Sequence, residues 1–344
     1  MEKNFPSREL LGWFAANQRP LPWRKNYHPY AVWLSEVMAQ QTRIDQMLPY
    51  YEKFLKQFPT LNVLADANEE SVLKSWEGLG YYSRARNLQH AAKEIQSKFG
   101  GKIPETKETL ETLKGFGPYI SSAVASIAFN ENVCVVDGNV LRVAARFWGD
   151  SSNIAETSTK KAFEEKLQSV LPRGKAREFN QALMELGALI CVPQNPVCHE
   201  CPLKKECFAF VHQKQNDFPV KTKKGKVPHK HFAAVRVEKN GELFLLQRKQ
   251  KLLHGMYEFP MVAFAPLEDS PKMIEQKFAD AGFHIIIGKP RGSVKHTYSH
   301  FVQHVHVFDA SWNNPPKNGW FSPVELARIP LSMVQKKILG FLKK

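Results

Sequence analysis

The sequence predicts an all-α domain followed by a smaller α+β domain, with a basic stretch between them. Three observations carry that prediction. Apolar residues recur at helical spacing through roughly the first two hundred residues. Beyond them the period shortens to that of strands. Charge also divides unevenly: residues 1–212 hold 26 basic and 23 acidic side chains, whereas residues 213–344 hold 22 basic and 10 acidic. With 344 residues, 43% of them hydrophobic, the chain is long for one domain, suits two, and can bury a sizeable core.

In chain order, the helical period is expected to give helices over Ala31–Ile44, Ser71–Trp76, Arg86–Phe99, Ile120–Ala128, Val140–Phe147, Thr159–Val170 and Glu178–Ile190. Pro59, Gly78, Gly100-Gly101, Pro104 and Pro172 punctuate the intervals. The stretch 213–230, QKQNDFPVKTKKGKVPHK, has six Lys, one Asp and two Pro and almost nothing to bury, the composition of an extended linker. Two roles suit it equally, a solubilising tether or a strap along a phosphate backbone. Strands follow over Phe232–Val237, Leu243–Arg248, His284–Ile287, Val294–His300 and Val302–Phe308, with helices over Pro271–Ala281 and Val334–Leu342. The domains are therefore expected at 1–212 and 231–344, joined by 213–230.

The net charge of +15 points to a polyanionic partner, nucleic acid or an anionic membrane surface. No apolar run approaches the roughly 18 residues of a membrane helix. The first residues, Met1-Glu2-Lys3-Asn4-Phe5-Pro6, lack the apolar stretch of a signal peptide. Four of the five Cys fall between Cys191 and Cys207, which is not how a disulfide framework is spread. A soluble intracellular protein with a reduced cysteine cluster is expected.

The four cysteines are spaced Cys191-x6-Cys198-x2-Cys201-x5-Cys207, with Pro193, Pro196 and Pro202 keeping the loop from becoming helix. A zinc finger has two short Cys pairs, so an iron–sulfur cluster suits this 6-2-5 pattern better. Cys134 lies in the apolar run Val133-Cys134-Val135-Val136 and reads as a core filler. Leu203-Lys204-Lys205 places positive charge on the loop, as a surface that contacts a nucleic-acid backbone would require.

Leu113-Lys114-Gly115-Phe116-Gly117-Pro118-Tyr119 is a Gly-x-Gly turn feeding a helix, whose free N–H groups can bind a phosphate. A lone Gly-x-Gly is more often just a turn. About twenty residues later comes Val136-Asp137-Gly138-Asn139-Val140. Asp137 reads as an N-cap in isolation. Capping and catalysis are compatible, because a helix N-terminus favours the ionised carboxylate.

Hairpin, downstream Asp and 6-2-5 cysteine cluster occur in the order that resembles the helix-hairpin-helix DNA glycosylases. Members that resemble endonuclease III carry a Lys after the hairpin glycines, which forms a Schiff base with the sugar. The matching position here is Tyr119, which cannot make an imine. Two further segments resemble one branch, the MutY adenine DNA glycosylases: Leu21-Pro22-Trp23-Arg24 followed by Pro29 to Thr42, and Gly78-Leu79-Gly80-Tyr81-Tyr82-Ser83-Arg84-Ala85-Arg86.

The resemblance implies an all-α helix-hairpin-helix domain with one 4Fe-4S cluster on Cys191, Cys198, Cys201 and Cys207, plus a C-terminal α+β Nudix-like domain. It makes Glu36 the general acid at adenine N7. It makes Asp137 an ionised carboxylate that stabilises the sugar cation or traps it transiently as a covalent ester, with Tyr119 and Asn139 completing the site by hydrogen bonding to Asp137 or the substrate. Glu36 stands among Val32, Trp33 and Val37, where desolvation would raise its pKa.

Gln40 and Tyr81 match positions that insert into the base stack, Arg84 and Arg86 flank them, and the amides around Gly115 and Gly117 hold the backbone. Gln247-Arg248 and Gly255 to Pro260 resemble the Nudix-like domain that the family uses to inspect the opposite base. The stretch Met273 to Gly282 lacks the Arg-Glu-x-x-Glu-Glu box of a Nudix hydrolase, so pyrophosphate hydrolysis is not expected. Tyr298, Ser299 and His300 resemble the family's Phe-Ser-His recognition loop, with Ser299 reading the base and Tyr in place of Phe. Strand alternation accounts for His304 and His306 without a metal.

The implied reaction is hydrolytic removal of adenine from an adenine:8-oxoguanine or adenine:guanine mispair in double-stranded DNA, by a monomer in the bacterial cytoplasm and away from membranes. Two other readings remain. A pyrimidine-specific glycosylase/lyase lacks its amine at Tyr119. A non-enzymatic iron–sulfur DNA-binding protein leaves Glu36 and Asp137 together without a reason.

Overall fold

The computed structural model describes residues 5–222, 225, 227–266 and 270–341. Contacts divide the chain into two compact units, residues 1–65 with 90–224 and residues 66–89 with 225–344. The sequence-based division did not foresee that 66–89 groups with the C-terminal part.

The helices are α1 (Ser7–Asn17), α2 (Pro29–Ala39), α3 (Ile44–Gln57), α4 (Leu61–Asp66), α5 (Glu69–Ser75), α6 (Ser83–Phe99), α7 (Lys107–Glu111), α8 (Pro118–Phe129), α9 (Gly138–Trp148), α10 (Thr157–Val170), α11 (Ala176–Leu189) and α12 (Phe208–Val211). The helix expected across Ala31–Ile44 stops instead at Ala39. Gln41 adopts φ 58°, which a continuing helix cannot accommodate. The apolar period that seemed to run on belongs to α3, which buries Met47, Tyr51 and Phe54. In the first unit α1, α9 and α11 share a core built on Leu10, Phe14, Val140, Phe147, Phe179 and Leu183, with Cys134 buried in it as a filler.

The expected linker is partly docked. Phe218 is buried with Leu141, Ile154 and Phe163, a burial that contributes roughly 2 kcal/mol. Arg146 Nε donates to the carbonyls of Gln215 and Phe218 (3.0 and 3.1 Å), and Ile154 N donates to Val220 O (3.0 Å). One buried aromatic and these backbone hydrogen bonds together pin residues 215–222 to the helices. Lys223, Lys224 and Lys226 of that stretch, the initial Met1 to Asn4 and the terminal Leu342 lie outside the described residues.

The second unit carries β1 (His229–Lys239), β2 (Glu242–Phe244), β3 (Leu246–Gln247), β4 (Tyr257–Glu258), β5 (Met261–Ala263), α13 (Pro271–Asp280), β6 (Ile285–Thr297), β7 (Val302–Trp312), β8 (Trp320–Phe321), α14 (Pro323–Leu326) and α15 (Met333–Gly340). The main sheet runs β6-β7-β1-β2-β8, with β5 also on β1; β1 and β7 are parallel and β6 and β7 antiparallel. The two strands expected around residues 284–300 are one, β6, interrupted by a bulge between Ile287 and Gly292 where the helix-neutral run Gly288-Lys289-Pro290 hid the continuity. His304 and His306 point to one face of β7 and meet His229 and His231 across the parallel ladder at 3.0 and 3.5 Å. Among the described residues no helix is long and apolar enough to cross a membrane.

Candidate active site and cysteine loop

Helix α2 is buried from Val32 to Met38 almost all round, so Glu36 at its middle has nowhere wet to point. It is 5% exposed. Tyr119, in the first turn of α8 immediately after the glycine hairpin, donates its hydroxyl to Glu36 Oε2 at 2.6 Å. Burial pushes the Glu36 carboxyl up to about 7; the Tyr119 hydrogen bond and Arg24 oppose the shift, and the Asp137 charge adds to it. A carboxyl poised there can hold a proton at neutral pH.

Asp137 does cap α9, accepting from Val140 N at 2.7 Å. Asn139 Nδ2 donates to its other oxygen at 3.3 Å. The helix start alone predicts an ionised carboxylate, but desolvation raises the Asp137 pKa more than these amides and Arg142 lower it. Glu36, Tyr119, Asp137 and Asn139 are thereby brought together in one unit. Tyr119 binds Glu36 rather than Asp137 as its first partner.

Three residues that sequence reasoning missed hold this site. Arg142 Nη2 donates to Asn139 Oδ1 and to Gly187 O (both 2.8 Å), and its Nε donates to Cys191 O (2.7 Å). Arg146, one turn on, reaches Cys191 Sγ (3.4 Å) and the carbonyls of Val192 and Pro193. Two arginines at i and i+4 on the buried face of a helix were the available signal. Gly187 of α11 is the third: a Cβ there would sit 2.7 Å from Asn139 Cβ. Gly187→Ala is therefore expected to displace Asn139 and slow the chemical step with little change in DNA affinity, which single-turnover rates and binding titrations would separate.

Glu185, 2% exposed, anchors the approach to α2. Burial alone would raise its pKa, but hydrogen bonds from Arg19 and Arg24 hold it at about 2. Glu185→Ala strands two guanidinium groups, one of them nearly buried. A loss of roughly 3 to 5 kcal/mol is expected in denaturant unfolding; an unchanged midpoint would refute the anchoring role.

Gly115 has φ 94° and Gly117 is the N-cap of α8 with no side-chain cap, which leaves the first-turn amides to an anion. Gln40 ends α2 and is half-buried. In the other unit Tyr81 is 45% exposed at φ 48°. Arg84, expected on a DNA-facing surface, is instead buried: its guanidinium lies over the Trp76 and Tyr81 rings and donates to Gly80 O. It supports Tyr81 rather than presenting charge. Arg86 is half-buried and donates to His254 O (2.7 Å). Tyr298 N donates to Phe301 O, closing a tight turn that leaves Ser299 and His300 exposed.

Cys191, Cys198, Cys201 and Cys207 all line one cavity, walled by Val143, Phe147 and Leu186. All four are half-buried. Among the described residues no three His, Cys, Asp or Glu side chains converge on a single metal ion.

A model of the helix-hairpin-helix superfamily of base excision DNA repair proteins matches residues 34–173, and a NUDIX domain model matches 232–340. The chain is 32% identical to the adenine DNA glycosylase of Buchnera aphidicola subsp. Acyrthosiphon pisum (strain APS), across all of this chain and 99% of that one. The chain belongs to the adenine DNA glycosylase family. The Homo sapiens adenine DNA glycosylase is 31% identical over 96% of this chain and 72% of its own length. The structure of a thermostable thymine-DNA glycosylase aligns with a TM-score of 0.55 at 27% identity, over 60% of this chain and 95% of that one. As a member of the adenine DNA glycosylase family, the protein is a base-excision repair glycosylase with a C-terminal Nudix-like domain.

Proposed function

We propose that this enzyme hydrolyses adenine from double-stranded DNA where adenine is mispaired with 8-oxoguanine or guanine, without cutting the strand. The observation that carries the reading is the buried Glu36 carboxyl, at about 7 and hydrogen-bonded by Tyr119, beside the Asp137 cap. Glu36 gives its proton to adenine N7, the bond from C1′ to N9 breaks with its electron pair leaving on adenine, and Asp137 stabilises the sugar cation. Water then adds at C1′ and yields a proton to the Glu36 carboxylate. Asn139 holds Asp137, and Tyr119 orients Glu36. No amine stands at the Tyr119 position, so strand cleavage awaits added alkali.

Gln40 and Tyr81 would fill the stack after the base leaves it, and the Gly115–Gly117 amides with Arg86 would hold the backbone. Tyr298, Ser299 and His300 would read the opposite base. The proposed organisation assigns 1–212 to catalysis, 213–230 to the connection and 231–344 to inspection, in a cytoplasmic monomer. Cys191, Cys198, Cys201 and Cys207 would hold one 4Fe-4S cluster, supported by four thiols on one cavity and the Arg146 guanidinium beside Cys191. When bound, such a cluster would cross-link the loop and add no step to the reaction.

Single-turnover cleavage of duplexes with adenine opposite 8-oxoguanine, guanine or thymine, analysed with and without alkali, tests the reading. Alkali-dependent breaks are expected only opposite 8-oxoguanine and guanine. Breaks without alkali would restore the lyase, and tight binding without adenine release would leave a damage-binding protein.

A further inference from the structure

Four histidines of the second unit gather on one face of its sheet, and none of the proposed steps uses them. Alternation along β7 puts His304 and His306 on that face, and the parallel register sets His231 of β1 opposite His304. His229 Nδ1 then lies 3.0 Å from His304 Nε2, and His231 Nδ1 lies 3.5 Å from His306 Nε2. The rings form one stack, His229 on His304 (centroids 5.1 Å), His304 on His231 (4.6 Å, 9° between planes) and His231 on His306 (5.7 Å). Phe264 meets His306 edge-on at one end, and His229 is exposed at the other. Alternation explains the shared face but not the choice of imidazole at all four places.

Imidazoles this close cannot all carry a charge. Lys295 of β6, opposite His304, is the one charged side chain other than histidine among their ladder partners. Loss of solvent, then the neighbouring imidazoles and Lys295, hold His304 below the usual histidine value; loss of solvent and His231 do the same for His306. Both rings are therefore neutral at pH 7.5, and a neutral imidazole keeps one nitrogen lone pair. Without a further ligand, a facing pair is joined by one N–H···N hydrogen bond. Moving the donor's proton to its other ring nitrogen turns both facing nitrogens into acceptors, an arrangement that a cation between them satisfies.

The distances select the kind of ion. Zinc takes imidazole nitrogen at about 2.0 to 2.1 Å, and two such bonds at a tetrahedral angle set the nitrogens about 3.4 Å apart. The His231–His306 separation of 3.5 Å matches that spacing, whereas the outer pair at 3.0 Å is too close for it. Magnesium and calcium prefer oxygen ligands and are not expected here. We propose that His231 and His306 chelate a tetrahedral divalent transition-metal ion of the zinc class, with water in its other two positions. Two protein ligands agree with the absence, among the described residues, of any group of three around one ion. A bound ion would tie the first residues of β1 to β7. The inference does not rest on the proposed reaction or on the cysteine loop, both of which lie in the other unit.

Calorimetric titration of the full chain with zinc, free of any polyhistidine tag, tests it. Wild-type protein is expected to take up zinc at pH 7.5 and to leave magnesium unbound, with affinity falling severalfold by pH 5 as protons claim the same lone pairs. His231→Gln and His306→Gln should each weaken uptake at least tenfold, while His229→Gln should leave it within twofold. All three side chains are at least partly exposed, and melting in the presence of EDTA checks that each variant folds. Cobalt gives a readout that needs no variant: its visible bands are expected without the near-ultraviolet charge-transfer band of a bound thiolate, which separates this site from the four cysteines. Zinc uptake that the His231 and His306 variants retain, uptake lost with His229→Gln instead, a thiolate band that accounts for all the cobalt bound, or no uptake at all overturns the proposal.

Discussion

Glu36→Gln is expected to lower single-turnover adenine release by about 10² to 10⁴-fold, the usual contribution of a positioned acid, and yet to make the protein more stable at pH 8. Both effects follow from one displaced pKa. An ordinary glutamate titrates at 4.5, whereas burial lifts Glu36 to about 7. Between those values the folded chain binds more protons than the unfolded chain, so stability falls as pH rises. Above about 7 the cost is complete and amounts to roughly 3 kcal/mol, at about 1.36 kcal/mol per pKa unit. Glutamine keeps the shape and accepts the Tyr119 hydroxyl without ever carrying the charge. Its advantage in melting midpoint should therefore be large at pH 8 and shrink toward pH 5. The wild-type rate should fall about tenfold per unit above pH 7, as the acid form is lost. A variant that melts no higher than wild type at pH 8 would mean that the carboxyl is better solvated than its burial indicates.

Much of this site was legible because local chemistry encodes it. The Gly-x-Gly turn, the Asp137 cap and the cysteine spacing are short-range patterns, and each lies on the element expected: the start of α8, the start of α9, and the loop after α11. The apolar neighbours of Glu36 also foretold the direction of its shift. What stayed hidden depends on partners distant in sequence. Arg142 joins Asn139 to Gly187 and Cys191, nearly fifty residues away, and although its i, i+4 spacing with Arg146 marks a pair of arginines on one helix face, it does not mark the partners they reach. Arg84 looked like a surface cation in an Arg-rich turn, yet the Trp76 and Tyr81 rings bury it. Residues 215–222 looked like tether because composition averages over a segment, whereas docking rests on the buried Phe218 and on backbone groups engaged by Arg146 and Ile154, which composition does not show. The end of α2 was missed for a related reason: hydrophobic period continues across a turn whenever the next helix also faces the core.

The Asp137 position still supports two roles, cap and catalyst, and Asp137→Asn separates them. Asparagine caps a helix about as well as aspartate, so the bond to Val140 N is retained, and because burial raises the Asp137 pKa, removing its charge should leave the fold at least as stable as wild type at pH 8. Asp137→Ala, which loses the cap, should cost about 1 kcal/mol relative to Asp137→Asn. If capping were the only role, activity would follow stability and Asp137→Asn would be nearly normal. If the carboxylate stabilises the sugar cation, Asp137→Asn should lose about a hundred- to a thousand-fold in the single-turnover rate, the scale of one removed electrostatic stabiliser. A second readout comes from the coupling of the two carboxyls. The Asp137 charge helps to raise Glu36, so the alkaline fall in residual activity should begin at lower pH in Asp137→Asn than in wild type. A cap without a charge in the site predicts no such displacement. Loss of rate with the pH midpoint unmoved would place Asp137 outside the electrostatics of the acid and assign the defect to geometry.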